Sequence, residues 1–195
     1  MLIAMACAVQ AHAAETAQSV LDKAAAKLSS AGSVIADFTV SQDGASGSGN
    51  ITLSGDRFAI VTDAMSTWYD GRTQWTYSPR INEVNITEPT AEELRQVNPF
   101  AIINAFRNNY SYRLTESSAS KNTVELTPRT PDDNITKVTV TFNAATNLPS
   151  LIKLYTHSGD MTITVNHIKE ADKKPASAFT FNKNRYPGVE IIDLR

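Results

Sequence analysis

The feature that most constrains this chain is how much of it alternates between apolar and polar residues with a period of two. From Val34 onward short alternating runs follow one another, separated by turn residues. Phe38 and Val40 alternate with Asp37, Thr39 and Ser41. After a Gly/Ser turn at 43–49, Ile51 and Leu53 alternate with Thr52 and Ser54. Phe58 and Ile60 share a face beyond Gly55-Asp56. Trp68-Tyr69, Asp70-Gly71 and the run Arg72 to Tyr77 read as a hairpin, with Asp-Gly supplying the positive φ angles of a tight turn. Val84 and Ile86 alternate with Glu83, Asn85 and Thr87. Later strands fall near 110–117, 121–127, 136–142, 150–155 and 160–169, with a last one at Val189 to Ile192.

Helical pattern is scarce by comparison. Val20, Leu21, Ala24, Ala25 and Leu28 recur at helical spacing and Gly32 ends the pattern, which predicts one amphipathic helix from about Thr16 to Ser30. Thr90-Ala91-Glu92-Glu93 is a capping box leading into Leu94 and Val97. Asn98-Pro99 opens another short helix, with Phe100, Ile103 and Phe106 on one side.

This imbalance predicts a mainly β (α+β) fold. Strands with one apolar and one polar face belong to an antiparallel sheet with one solvated side. About eleven strands would make a sheet roughly 50 Å across, while a helix covers only about 10–12 Å. The sheet is therefore expected to curl into an incomplete antiparallel β-barrel, with helices covering its concave apolar face. A packed sandwich fits the same periodicity. Because interiors avoid large voids, the uncovered concavity reads as a lipid site. Its candidate lining is Phe38, Ile51, Leu53, Phe58, Ile60, Trp75, Phe100, Ile103 and Phe106. Each of these has ordinary core packing as its competing reading. The helix from Pro99 to Arg107 starts abruptly and is too short to be stable alone, so it is expected to act as a movable lid.

Charge and composition remove other classes. Eighteen basic and twenty acidic residues give a net charge of −2, with no basic stripe to meet nucleic acid. Leu2 to Val9 is almost wholly apolar and ends near Ala11-His12-Ala13, a small-x-small cleavage signal. Residues 1–13 are thus expected to be a signal peptide and 14–195 a single exported, periplasmic domain. The missing positive charge ahead of the apolar run puts the true start codon in question. The alternative is a lipobox at Ala4-Met5-Ala6-Cys7 that anchors the protein through Cys7; the short apolar run and the absence of Leu three residues earlier argue against it. A membrane span needs about 20 apolar residues, and no stretch comes close.

No constellation for catalysis is legible. His157 and His167 lack the spacing of metal ligands, and Asp132-Asp133 sits in a Pro-Asp-Asp-Asn turn. No nucleophile elbow or phosphate loop is present. The reading is a protein that is no enzyme and needs neither cofactor nor metal.

Several segments resemble one family. Asp70-Gly71-Arg72-Thr73-Gln74-Trp75-Thr76-Tyr77-Ser78-Pro79 is similar to the D-G-k-t-x-W-x-Y-x-P segment of LolA proteins. Ala36-Asp37-Phe38-Thr39 resembles their a-s-F-t-q strand, and Asn98-Pro99-Phe100-Ala101-Ile102-Ile103 their central-helix start. Val124-Glu125-Leu126-Thr127-Pro128-Arg129 resembles v-x-L-x-P-k, and Phe179-Thr180-Phe181 with Pro187-Gly188-Val189 the C-terminal F-x-F…P-x-G-V. The resemblance implies an incomplete barrel capped by helices. It also implies a chaperone that takes lipoproteins, held by their acyl chains, from an inner-membrane ABC exporter to an outer-membrane acceptor; a monomer is expected. One departure stands out. Where the family has a basic residue and Pro after the second strand, this chain has Ser54-Gly55, with Arg57 displaced. Two alternatives follow: a LolA-like paralogue carrying another amphiphile, or a regulator of envelope stress that senses lipids or lipoproteins.

Overall fold

The structure is a computed structural model that describes residues 15–98, 100–130 and 134–195, the side chain of Gln96 excepted. The expected signal peptide, Cys7, Pro99 and the Asp132-Asp133 turn lie outside the described residues.

The chain opens with α1 (Ala17–Ser30), whose first turn is capped by the Thr16 hydroxyl accepting from Ser19 N at 3.1 Å. Its apolar stripe buries Val20, Leu21, Ala24 and Leu28. Six strands follow: β1 (Ser33–Gln42), β2 (Ala45–Ser54), β3 (Arg57–Thr62), β4 (Ser66–Tyr69), β5 (Gln74–Ser78) and β6 (Glu83–Thr87). Two short helices interrupt them, α2 (Ala91–Val97) and α3 (Phe100–Asn109). Then come β7 (Tyr110–Ser117), β8 (Lys121–Pro128), β9 (Ile135–Asn143), β10 (Pro149–Thr156) and β11 (Met161–Ala171). Two 3-10 turns, Ala176–Phe179 and Lys183–Arg185, lead to β12 (Glu190–Asp193).

All twelve strands belong to one sheet in the order β12-β6-β5-β4-β3-β2-β1-β11-β10-β9-β8-β7. Every pairing is antiparallel except β12 with β6. The two ends, β7 and β12, do not meet, so the sheet is an incomplete barrel with one strand more than the expected eleven or so. The pairing of β1 with β11 joins the two meanders into one sheet.

The main core lies between the helices and one face of β1–β3 and β7–β11. Leu21, Ala24, Ile102, Ile103 and Phe106 meet Val34, Ala36, Ile51, Val124, Leu126, Val138, Val140, Phe142 and Ile152 in one buried cluster. Period-two alternation puts these strand residues on a common face, and the pairing register keeps them there from strand to strand.

One expectation needs correcting here. The strands do not all turn their apolar side toward the helices. Ile51, Ile60, Thr67, Thr76 and Asn85 form one cross-strand row, so the helix-facing side becomes polar from β4 to β6. The neighbouring row, Ala59, Trp68, Trp75 and Ile86, faces away from the helices. The C-terminal segment covers that opposite side. Phe181 lies 5.8 Å from Trp68, and Tyr186 lies 6.0 Å from Trp68 and 4.4 Å from Tyr77, ring centre to ring centre. Alternation says that two faces differ; what packs on each is decided elsewhere in the chain.

The Asp70-Gly71 turn also differs from its expected form. Gly71 has φ of +105°, but Asp70 has no positive φ. The loop is four residues long, and the Asp70 carboxylate organises it by accepting from Arg72 N at 2.9 Å and Thr73 N at 2.8 Å.

Candidate functional site

The candidate site is built where the C-terminal end of α1, the β2–β4 rows and the α2–α3 pair converge. Register places Leu53, Phe58 and Tyr69 side by side on three adjacent strands. Phe58 is buried and its ring stacks on Tyr69 at 5.3 Å. Burial pushes the Tyr69 hydroxyl above its ordinary pKa, and the carboxylates of Asp56 and Asp70 add to the effect. Tyr69 therefore stays protonated and neutral through the physiological range.

Across from this row stand the two short helices. The sequence makes α2 by local capping. The Thr90 hydroxyl accepts from Glu93 N at 3.3 Å, and the Glu93 carboxylate accepts from Thr90 N at 2.7 Å. Asn98 closes α2 and opens α3: its N–H donates to Leu94 O, and its side-chain oxygen accepts from Phe100 N at 3.1 Å. Asn98 is itself buried. A single residue thus carries the joint between the helices.

Between helices and sheet lies a cleft of about 320 Å³, within the lower range of small-molecule sites. Leu28, Leu53, Tyr69, Leu94 and Phe100 supply its apolar wall. Gly55 and Asp56, the β2–β3 turn, stand on its rim, while Ala101, Asn104 and Ala105 present one face of α3 and Arg95 adds the only cation of the lining.

Of the residues singled out in the sequence, Leu53 and Phe100 line this cleft. Phe58 is buried beside Leu53. Ile51 is buried, and Phe38 and Ile60 are half-buried against the main core. Ile103 and Phe106 are buried in that core, Phe106 edge-on to Tyr112 at 5.3 Å. Trp75 lies on the opposite face of the sheet from the helices. Among the cleft residues that the sequence reading missed are Leu28, Tyr69, Leu94 and Arg95. Leu94 carried a signal, as the first apolar residue after a capping box. Arg95 carried none.

Arg57 is half-buried beside a neighbouring depression formed with Gly32, Ser54 and Lys173. The Ser54 hydroxyl donates to Gly32 O at 2.7 Å and ties the end of β2 to the start of β1. His157 and His167 are both exposed, and among the described residues no group of three or more His, Cys, Asp or Glu could hold a metal ion. No described helix is long and apolar enough to cross a membrane.

Comparison with known proteins bears directly on this arrangement. The family described as outer membrane lipoprotein carrier protein LolA matches residues 7–157, more than half of the chain. The chain belongs to the LolA family. Every residue that lines the cleft falls within the matched part, whereas β11 and the C-terminal segment lie beyond it. No curated protein sequence matches the chain. Among solved structures, an uncharacterized conserved protein from Thermus thermophilus is similar at a TM-score of 0.62 and 11% identity, covering 91% of this chain and 98% of that one. A second, from Desulfovibrio piger, has a TM-score of 0.51 and 10% identity, covering 84% and 96%. A LolA superfamily protein from Nitrosomonas europaea has a TM-score of 0.46 and 17% identity, covering 86% and 99%. The first two likenesses are of fold alone. The LolA fold here is an open twelve-stranded sheet, not closed into a barrel, with three α-helices among the described residues.

Proposed function

We propose that this protein is a carrier that shelters acyl chains in the cleft beneath α2 and α3, and that its cargo is lipoprotein. The carrying observation is the cleft itself: an apolar recess at the concave face, closed on one side by helices too short to be stable alone. Family membership supports lipoprotein as the cargo. Each CH₂ removed from water contributes about 0.8 kcal/mol, so affinity grows with the length of chain that the cleft accepts. At about 320 Å³ the cleft holds part of an acyl chain as it stands. Longer or multiple chains require α2 to swing outward about Asn98. The lid in this reading is α2, which contributes Ala91, Leu94 and Arg95 to the cleft wall. The expected lid helix, α3, buries Ile103 and Phe106 in the core and serves as the fixed side.

In this proposal the protein works in the periplasm after a signal peptide is removed at Ala13. It receives cargo from an inner-membrane ABC exporter, delivers it to an outer-membrane acceptor and performs no chemistry on it. The test is a fluorescent fatty-acid probe added to the purified mature protein. Emission should rise on binding and fall when a triacylated lipopeptide displaces the probe. A folded sample that leaves the probe dark at micromolar protein would reject the carrier reading.

A further inference from the structure

We infer that Arg95 is a headgroup ligand, and that the cleft selects single-chain amphiphiles with a monoanionic carboxylate head over neutral ones of equal length. This rests on the acyl-chain carrier reading above and departs from it in the cargo: a triacylated lipoprotein offers no free carboxylate head, so the ligand class of this inference is the single-chain fatty acid.

The observation is a donor without an acceptor. Arg95 lines the cleft, and its Nε is buried with no hydrogen-bond partner. Among the described residues nothing accepts from its guanidinium. Five of the other eight arginines are paired: Arg72, Arg107, Arg113 and Arg195 each with a carboxylate, and Arg129, whose Nε donates to Tyr110 O at 2.9 Å. A guanidinium cannot shed its proton to escape this situation. A buried donor left unmade is costly, the more so when charged. An acceptor delivered by the cargo removes that cost, and a carboxylate matches the planar fork of donors in a bidentate way.

The surroundings narrow the headgroup. Leu28, Leu53, Leu94 and Phe100 share the cleft with Arg95, so one ligand can meet the cation with its head and the apolar wall with its chain. Asp56 also stands on the rim and forms no salt bridge with Arg95. Its charge opposes any anionic head, and a doubly charged phosphate about twice as strongly as a singly charged carboxylate. Among the described residues the other buried side-chain atom without a partner, Gln74 Oε1, belongs to a residue of a separate groove with Thr87 and Glu93.

The test compares palmitate with methyl palmitate, both below their aggregation limits, by calorimetry near neutral pH. The wild type should bind palmitate about tenfold more tightly, the ratio expected of one charge-assisted hydrogen-bonded pair at a half-open site. Arg95→Met, which keeps the apolar stem, should bring the ratio to about one, and by removing the unpaired buried donor it should raise the melting temperature of the ligand-free protein. Arg95→Lys should keep part of the preference. Asp56→Asn should raise the palmitate-to-ester affinity ratio by about threefold. Equal binding of the two ligands by the wild type, or a preference that survives in folded Arg95→Met, would overturn the assignment of Arg95 while the carrier reading stands. Binding of neither ligand by folded wild type would overturn the carrier reading and this inference with it.

Discussion

Gly49 stands opposite Phe38 across the β1–β2 pair, and the space above it is filled. A Cβ there would lie 2.5 Å from Val61 O, 2.7 Å from Thr62 Cγ2 and 2.9 Å from the Phe38 ring. The Val61 carbonyl is backbone within a paired strand and cannot move aside cheaply. Gly49→Ala should therefore lower stability by about 1–3 kcal/mol in denaturant unfolding. Burial separates two other residues in the same way. Ile103 is fully buried, so Ile103→Ala should cost about 2–5 kcal/mol. Leu94 is half-buried in the cleft wall. Leu94→Ser should cost less than about 1 kcal/mol yet weaken fatty-acid probe binding severalfold. If Leu94→Ser lost as much stability as Ile103→Ala and kept its probe affinity, α2 would be core and not lid.

Among the elements, α2 is the one whose order depends most on its own capping. Seven residues cannot hold a helix by propagation, so the Thr90–Glu93 box supplies much of what fixes it. Thr90→Ala should cost about 1 kcal/mol locally, read as faster hydrogen exchange at the α2 amides with little change in α1. The backbone hydrogen bond from Thr90, and then its hydroxyl, hold the Glu93 carboxyl below the ordinary carboxylate range. A lowered folded-state pKa means that the stabilisation is present in full above the ordinary carboxylate range, near pH 4.3, and is lost as pH falls through the lowered value. Release of a fatty-acid methyl-ester probe, whose head does not titrate, should accordingly begin below that range on acidification. In Glu93→Gln the release profile should lose this component, with dissociation already faster at neutral pH.

For the whole molecule, the sheet separates two jobs onto its two faces. The helix-facing side holds the core and the cleft; the opposite side of β3–β6 is closed by the segment from Ala176 onward. Trp68 and Trp75 are the protein's two tryptophans and both face that second side. Ending the chain after Pro175 should shift tryptophan emission to longer wavelength and lower the melting temperature, while fatty-acid probe binding persists. Loss of probe binding in a truncated protein that keeps its far-ultraviolet dichroism would contradict the separation of faces.

The sequence alone determined the local pieces. Period-two alternation located the strands, Thr16 and the Thr90–Glu93 box started two helices, and the ratio of strand to helix favoured an incomplete barrel over the packed sandwich that fits the same periodicity. These depend on neighbours within a few positions, where propensity, capping and turn chemistry act. What the tertiary structure decided was which face of each strand is covered and by what. Trp75 reads as a cavity residue by its alternation, yet the register from β3 to β6 and the arrival of Phe181 and Tyr186 put it on the far side. Likewise Phe100, Ile103 and Phe106 share one helical stripe in sequence, but only Phe100 reaches the cleft, because α3 turns another face, that of Ala101, Asn104 and Ala105, toward it and keeps Ile103 and Phe106 in the core. Arg95 offered no pattern at all. Its significance comes from a missing acceptor, and a partner's absence is a property of three-dimensional neighbours, which no spacing along the chain encodes.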